Sequence, residues 1–176
     1  MLIATLLVLC LGQCPVDVNI PPITFDGLSG TSVAIDGDLA VIGCPIGTGN
    51  GWASGMVIVY RLVDHVWIRE AELIAEDGEI GDMMGVSVDV SDGRVIAGAW
   101  FNNHAGTNSG AAYIFEKVDG QWVQTTKLIA DDASSQDSFG RRVAIEGDVC
   151  VVTAPLDDDN GASSGSAYVF QFDGSW

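Results

Sequence analysis

The chain is poor in basic residues. Only 7 of its 176 residues are Lys or Arg, against 24 Asp or Glu, so the net charge is −17. Proteins that bind nucleic acid or an anionic membrane surface use Lys and Arg to contact phosphate groups, and this composition excludes both classes of partner. The chain is nevertheless 48 % apolar. This excludes a disordered acidic tail and predicts a folded domain with a core.

Long apolar runs are absent except at the start of the chain. Residues 1–12 form an apolar run of signal-peptide length, shorter than the ~20 residues of a membrane helix. The run lacks the usual preceding Lys or Arg. The sequence at 11–14, Leu-Gly-Gln-Cys, resembles a bacterial lipoprotein cleavage box, although Gln13 replaces the small residue expected there.

We therefore expect residues 1–14 to be a signal peptide or a lipoprotein signal, with Cys14 as the lipid-bearing residue in the second case. Residues 15–24 are expected to form a Pro-rich linker. The predicted location is secreted or at the cell surface, with no membrane-spanning segment elsewhere in the chain. The alternative is that the apolar run is a buried N-terminal strand or helix.

Helical periodicity is also absent, and a repeat takes its place. Gly30, Gly85 and Gly140 are spaced by 55 residues, and many other positions keep the same interval. Repeats of this length indicate a solenoid, an array or a propeller. The repeated positions include these sets: Val33, Val88 and Val143; Ile35, Val90 and Ile145; Gly55, Gly110 and Gly165; Trp67 and Trp122.

Each repeat is predicted to contain four short strands. In the middle copy we expect strands at 85–90, 94–99, 111–115 and 122–130, with tight turns at 91–93 and 119–120. The middle strands are apolar on both faces, so both faces must be covered, as in the stacked blades of a propeller. The predicted fold is therefore an all-β β-propeller of four-stranded antiparallel blades.

About three blades are present, so the predicted propeller is incomplete. Blade 1 is expected at 25–80, blade 2 at 81–135 and a truncated blade 3 at 136–176. Propellers close with typically 4–8 blades. Since an open sheet edge is usually avoided, we expect a fragment of a longer propeller, or a chain that assembles with other propeller fragments or copies of itself.

Three recurring motifs resemble a known family. They are Ser-Phe-Gly at 138–140, Thr-Ala-Pro at 153–155 and Ser-Gly-Ser-Ala-Tyr-Val-Phe at 164–170. Together they resemble the FG-GAP repeat family, the β-propeller repeat also found in integrin α subunits, and most closely its bacterial exported type. The resemblance implies that the side chain before the motif glycine (Phe139, Met84 or Leu28) wedges between blades.

The resemblance also implies a function. It predicts a non-catalytic, exported or cell-surface module for protein or glycan binding and adhesion, with no required cofactor. Two alternatives stay open: an extracellular carbohydrate-active propeller enzyme, and a purely structural repeat array. His65 and His104 are the only histidines, and neither has a Ser or Cys nucleophile pattern nearby. We therefore expect no catalytic residues.

Calcium is the one metal that the resemblance brings into question. Integrin-type repeats bind it in a loop between the first and second strands, but here that loop is cut to a short turn with too few oxygens for the 6–8 that calcium takes. A different acidic loop, between the second and third strands of the third copy, contains Asp157, Asp159 and Asn160. It is a candidate weak cation site. The alternative is a solvated loop.

The remaining candidates are aromatic residues and cysteines. Trp52, Trp100 and His104 fall in or near loops and are not repeated, so they are candidate contacts for a sugar or protein ligand. The repeated tryptophans are instead expected to pack in the core. Cys44 and Cys150 lie on second strands two blades apart, where buried thiols are expected rather than a disulfide.

Overall fold

The computed structural model describes residues 29–174 and 176, which form three antiparallel sheets and no helix. The predicted signal segment, the linker and Leu28 lie outside the described residues. The first sheet contains β1 (Ser32–Asp36), β2 (Leu39–Cys44), β3 (Met56–Val63) and β4 (Val66–Leu73). The second contains β5 (Ser87–Ser91), β6 (Arg94–Ala99), β7 (Ala111–Val118) and β8 (Gln121–Leu128), and the third β9 (Arg142–Glu146), β10 (Val149–Ala154) and β11 (Ser166–Gln171).

Two-residue turns join most neighbouring strands within a sheet. Asp119 and Gly120 between β7 and β8 both have positive φ, 49° and 81°, as a right-twisted hairpin requires. His65 occupies the glycine position of the equivalent turn, with φ 66°. The predicted second strand of the middle copy has the observed bounds. The third extends further, to Val118, because pairing continues up to the tight turn.

The sheets stack side by side and fan out from their first strands. β1 lies beside β5 and β5 beside β9, whereas the fourth strands β4 and β8 contact each other little. This is the geometry of propeller blades around an axis, and it confirms the predicted all-β, incomplete propeller. Met84 and Phe139 are fully buried in the cores between successive sheets, as wedges.

Side chains of the inner strands bind the backbone of the next sheet. Ser87 Oγ accepts a hydrogen bond from Val143 N at 3.1 Å, and Asp89 Oδ2 accepts one from Ile145 N at 2.8 Å. Ser91 Oγ likewise accepts from a β9–β10 turn nitrogen at 3.1 Å. N–H groups on the inner edge of β9 are thereby satisfied without a neighbouring strand.

Glycine allows the closest approach between sheets. A Cβ at Gly43 would lie 2.0 Å from Gly85 O, and one at Gly98 would lie 1.9 Å from Gly140 O. The equivalent position in the third sheet is Thr153. At each of these two contacts, a glycine of one sheet lets a backbone carbonyl oxygen that precedes the next sheet approach its Cα closely.

The cysteines and repeated tryptophans are structural, as predicted. Cys44 and Cys150 are unpaired thiols, each only 1 % exposed. The three repeated tryptophans each pack against a different core cluster: Trp67, Trp122 and Trp176.

Candidate functional site

All loops longer than a tight turn lie at one edge of the sheets. They are the loops 45–55, 100–110 and 155–165 and the connectors 74–86 and 129–141. First strands begin at this edge and second strands end there, so the loops of all three sheets gather on one surface, which we call the loop end. The opposite edge carries only hairpin turns and is called the hairpin end.

Backbone hydrogen bonds fix the shape of the loop end. Met83 N donates to Ala53 O at 3.0 Å, and Met84 N donates to Ser54 O at 3.1 Å. One repeat later, Ser138 N donates to Asn108 O at 3.1 Å. Each connector therefore runs alongside the preceding loop, and these hydrogen bonds fix the backbone of both segments.

A first polar cluster (Asp77, Asp82, Asn102, Tyr113 and Lys127) lies at the loop end. The Tyr113 hydroxyl donates to Asp77 Oδ1 at 2.9 Å and accepts from Asn102 Nδ2 at 3.2 Å, while Lys127 Nζ is 2.5 Å from Asp77 Oδ2. Burial alone would raise the pKa of Asp77, but the bonds from Lys127 and Tyr113 hold it below its usual value. Within this cluster the lysine pairs with Asp77, while Asp82 Oδ2 accepts a hydrogen bond from Asn102 Nδ2 at 2.8 Å.

A second polar cluster (Asp132, Asp137, Asp157, Asp159 and Tyr168) occupies the equivalent place one repeat later. The Tyr168 hydroxyl lies 2.8 Å from Asp132 Oδ1 and 2.8 Å from Asp157 Oδ2, and its one hydrogen serves one acceptor at a time. The charge of Asp157, with smaller effects of desolvation and of Asp132, raises the pKa of Asp159. Burial, followed by the neighbouring acids, raises the pKa of Asp137.

The predicted cation residues fall within this second cluster. Carboxylate oxygens of Asp132, Asp157 and Asp159 lie within 4.8 Å of one another, and Asn160 is exposed in the same loop. Sequence reasoning did not place Asp132, an acid of the preceding connector, beside Asp157 and Asp159. Three carboxylates alone supply fewer oxygens than calcium takes when each offers one. Calcium binding here stays a prediction, which calorimetric titration with calcium would test.

The predicted ligand residues all lie on the loop end. Trp52 is 66 % exposed. His104 is exposed beside a polar groove of about 150 Å³ that the first polar cluster helps to line. Trp100 is half-buried: its ring stacks on Phe101 at 3.9 Å between centroids, and the Arg141 guanidinium lies 4.0 Å from its centroid.

Sequence reasoning missed Tyr113 and Lys127 of the first cluster. A signal was present, because an Asp and a Tyr are separated by 36 residues in both copies, as Asp77–Tyr113 and as Asp132–Tyr168. Both pairs form a hydrogen bond between a connector and the third strand of the next sheet. The cluster is therefore part of the repeat.

The cysteine thiols are poor candidates for nucleophiles. Burial raises the pKa of the Cys150 thiol to about 11 and also raises that of Cys44. The reactive thiolate form is therefore disfavoured at neutral pH. Both side chains are buried, which limits their access to a substrate.

The FG-GAP repeat profile matches residues 67–115 and 122–170, more than half of the chain. The chain belongs to the FG-GAP repeat family. Each match starts at the Trp of a fourth strand (β4 or β8) and ends in the third strand of the next sheet. FG-GAP repeats are common in extracellular binding or adhesion modules. No curated protein matches the chain. Within the described residues, no helix has the length and hydrophobicity to cross a bilayer.

Proposed function

We propose that this FG-GAP chain is a non-catalytic, exported or cell-surface module that binds a protein or glycan through its loop end. The observation that carries the proposal is Trp52, an indole that is 66 % exposed on a fixed backbone. Its own carbonyl accepts a hydrogen bond from Gly81 N at 3.1 Å. An exposed indole on a fixed backbone offers a partner a large contact area, and ordering its two side-chain torsions costs little conformational entropy.

The polar groove beside His104 also favours the loop end as the binding surface. It is lined by amide, carboxylate and ammonium groups, among them Asn102, Glu79 and Lys127. Such a mixture of donors and acceptors suits sugar hydroxyls or a peptide backbone. Because the groove holds only about 150 Å³, it fits part of a partner rather than enclosing a whole ligand.

The absence of catalysis is part of the proposal. His65 lies in a β3–β4 turn at the hairpin end, while His104 lies at the loop end, so the two imidazoles do not share a site. The second polar cluster holds several acids, but its tyrosine hydroxyl and carboxylates bond to one another. These contacts favour a structural role for the carboxylates over general acid–base chemistry.

The test is a glycan array and a pull-down of extracellular proteins with the whole chain. Trp52→Ala should weaken binding about tenfold or more, as expected for an exposed anchor. Val66→Ala is the matched control, because Val66 is 59 % exposed at the hairpin end. The proposal fails if Val66→Ala abolishes binding and Trp52→Ala does not. It also fails if the chain turns over a polysaccharide and one carboxylate substitution stops the turnover.

A further inference from the structure

Two arginines differ from every other basic residue of the chain. Five of the seven Lys and Arg side chains form salt bridges: Arg61, Arg69, Arg94, Lys117 and Lys127. Among the described residues, no carboxylate pairs with Arg141 or Arg142. In a chain of net charge −17, two adjacent cations that pair with no described acid are unexpected.

Both arginines line a groove whose described lining residues include no acid. The groove holds about 460 Å³ and is bordered by the starts of the three inner strands. Its walls are hydroxyl, apolar and guanidinium groups. The lining residues are Thr31, Ser32, Val33, Val86, Ser87, Val88, Arg141 and Arg142.

The groove is built from equivalent positions of the three sheets. Positions 32, 87 and 142 are one repeat apart and hold Ser, Ser and Arg, and positions 31, 86 and 141 hold Thr, Val and Arg. The groove therefore lies where the three inner strands begin, at the loop end. Only the third sheet contributes charge, which makes the arginines a departure from the repeat rather than a property of it.

The arginines are held in place without being neutralised. The Arg141 guanidinium lies 4.0 Å from the centroid of the Trp100 ring, a cation–π contact that leaves the N–H groups at its edge available. Arg142 Nη1 donates to Arg141 O at 3.0 Å, which uses one of its five donors. The Ser87 hydroxyl, which accepts from Val143 N, still has its own hydrogen to donate.

We propose that this groove binds the carboxylate of an acidic sugar. A guanidinium matches a carboxylate through two parallel N–H···O bonds, and the neighbouring serine suits sugar hydroxyls. The overall negative charge disfavours densely charged polyanions, so a single carboxylate on an otherwise neutral ring fits best. The inference deepens the proposed function by naming a ligand class for the loop end, and it rests on that function.

The test is a titration of the whole chain with D-glucuronate, followed by nuclear magnetic resonance, with D-glucose and glucose 6-phosphate as matched probes. We expect glucuronate to bind, glucose not to bind and the phosphate to bind more weakly. Arg142→Ala should weaken glucuronate binding about tenfold or more. Arg142 is exposed, so this variant keeps the fold.

Two further variants complete the test. Arg141→Lys keeps the charge but loses the two-point geometry, and it should also weaken glucuronate binding. Lys117→Ala removes one positive charge far from the groove, since Lys117 pairs with Glu70 on the fourth strand of the first sheet, and it should leave binding unchanged. Equal binding of glucose and glucuronate, tighter binding of the phosphate, or no effect of Arg142→Ala would each overturn the inference.

The glycan array separates this inference from the proposed function. If the wild-type chain binds glycans or proteins and Trp52→Ala weakens that binding while Arg142→Ala does not, the loop end binds a partner but the carboxylate inference is wrong. If uronate-containing glycans are retained and Arg142→Ala loses them selectively, the inference is supported.

Discussion

Two polar clusters share a backbone setting but differ in the side chains around the tyrosine. Asn102 in the first cluster corresponds to Asp157 in the second, and Lys127 pairs with Asp77 in the first cluster. Against the effect of burial, the bonds from Lys127 and Tyr113 lower the pKa of Asp77, whereas the charge of Asp157 raises the pKa of Asp159. The repeated tyrosine–aspartate contact thus lies beside an ion pair in the first cluster and among closely spaced carboxylates in the second.

Asp159→Asn should therefore stabilise the protein at pH 7. A raised folded-state pKa means that ionised Asp159 costs stability at neutral pH, and that the wild type recovers this stability as pH falls through the raised pKa towards 3.8. The gain in melting temperature of Asp159→Asn over the wild type at pH 7 should shrink on acidification through this window.

Asp77→Asn should instead lower the melting temperature at pH 7, and this loss should shrink as pH falls through the lowered pKa of Asp77. Melting curves at several pH values check both, and a destabilised Asp159→Asn at pH 7 would contradict the assignment.

Gly98→Ala tests the close contact between the second and third sheets. The added Cβ would lie 1.9 Å from Gly140 O, a backbone atom that cannot move alone. We expect a loss of about 2–3 kcal/mol in the free energy of unfolding, measured with urea. Thr153→Ala is the control at the equivalent position, which already carries a Cβ, and should cost less than about 1 kcal/mol. Equal losses in the two variants would contradict the docking model.

At the scale of the element, the strands were the most predictable feature. Apolar runs and the Asp-Gly dipeptide placed β5 to β8 within a few residues, because burial on both faces and turn chemistry are local properties. The hydrogen bonds from β9 backbone N–H groups to side chains of β5, which we call the polar ladder, were not predictable. In the sequence, Ser87 and Asp89 look like ordinary polar positions of a strand. Their role depends on which backbone groups the neighbouring sheet leaves unpaired.

Asp89→Ala should weaken the docking of β9 on β5. It removes the acceptor of the Ile145 N–H bond at 2.8 Å, beside a side chain that is only 5 % exposed. The expected loss is about 1–3 kcal/mol in the free energy of unfolding, measured by denaturant titration. Glu146→Ala is the control, because Glu146 is an exposed acid on the next inner strand, and it should change stability by less than about 0.5 kcal/mol. An unaffected Asp89→Ala would show that the ladder contributes nothing.

At the scale of the whole molecule, the outer face of the third sheet is apolar and exposed. Val169 is 68 % exposed, whereas Ile114 at the equivalent position of the second sheet is fully buried by the third. Thr153 replaces the glycine that seats the next carbonyl, so a further sheet would not dock here in the same way. Assembly with other copies therefore stays a prediction, and the contact would differ from the internal ones.

Val169→Lys tests that prediction. A lysine on an exposed strand opposes edge and face pairing through its charge and its need for water. If copies associate through this face, sedimentation velocity should show concentration-dependent association for the wild type and its loss in Val169→Lys. Ile80→Lys, at a residue that is 68 % exposed in a connector, is the control and should associate like the wild type. A wild type that stays monomeric at all concentrations would contradict the prediction.

We propose that the loop end is the recognition surface of this FG-GAP module. Amide hydrogen exchange on the whole chain, with and without a partner found by the array or pull-down, tests it most directly. We expect slower exchange in the loops 45–55 and 100–110 and in the connector 129–141, with the turns of the hairpin end unchanged. Protection confined to the turns at 64–65, 92–93 and 119–120 would contradict it.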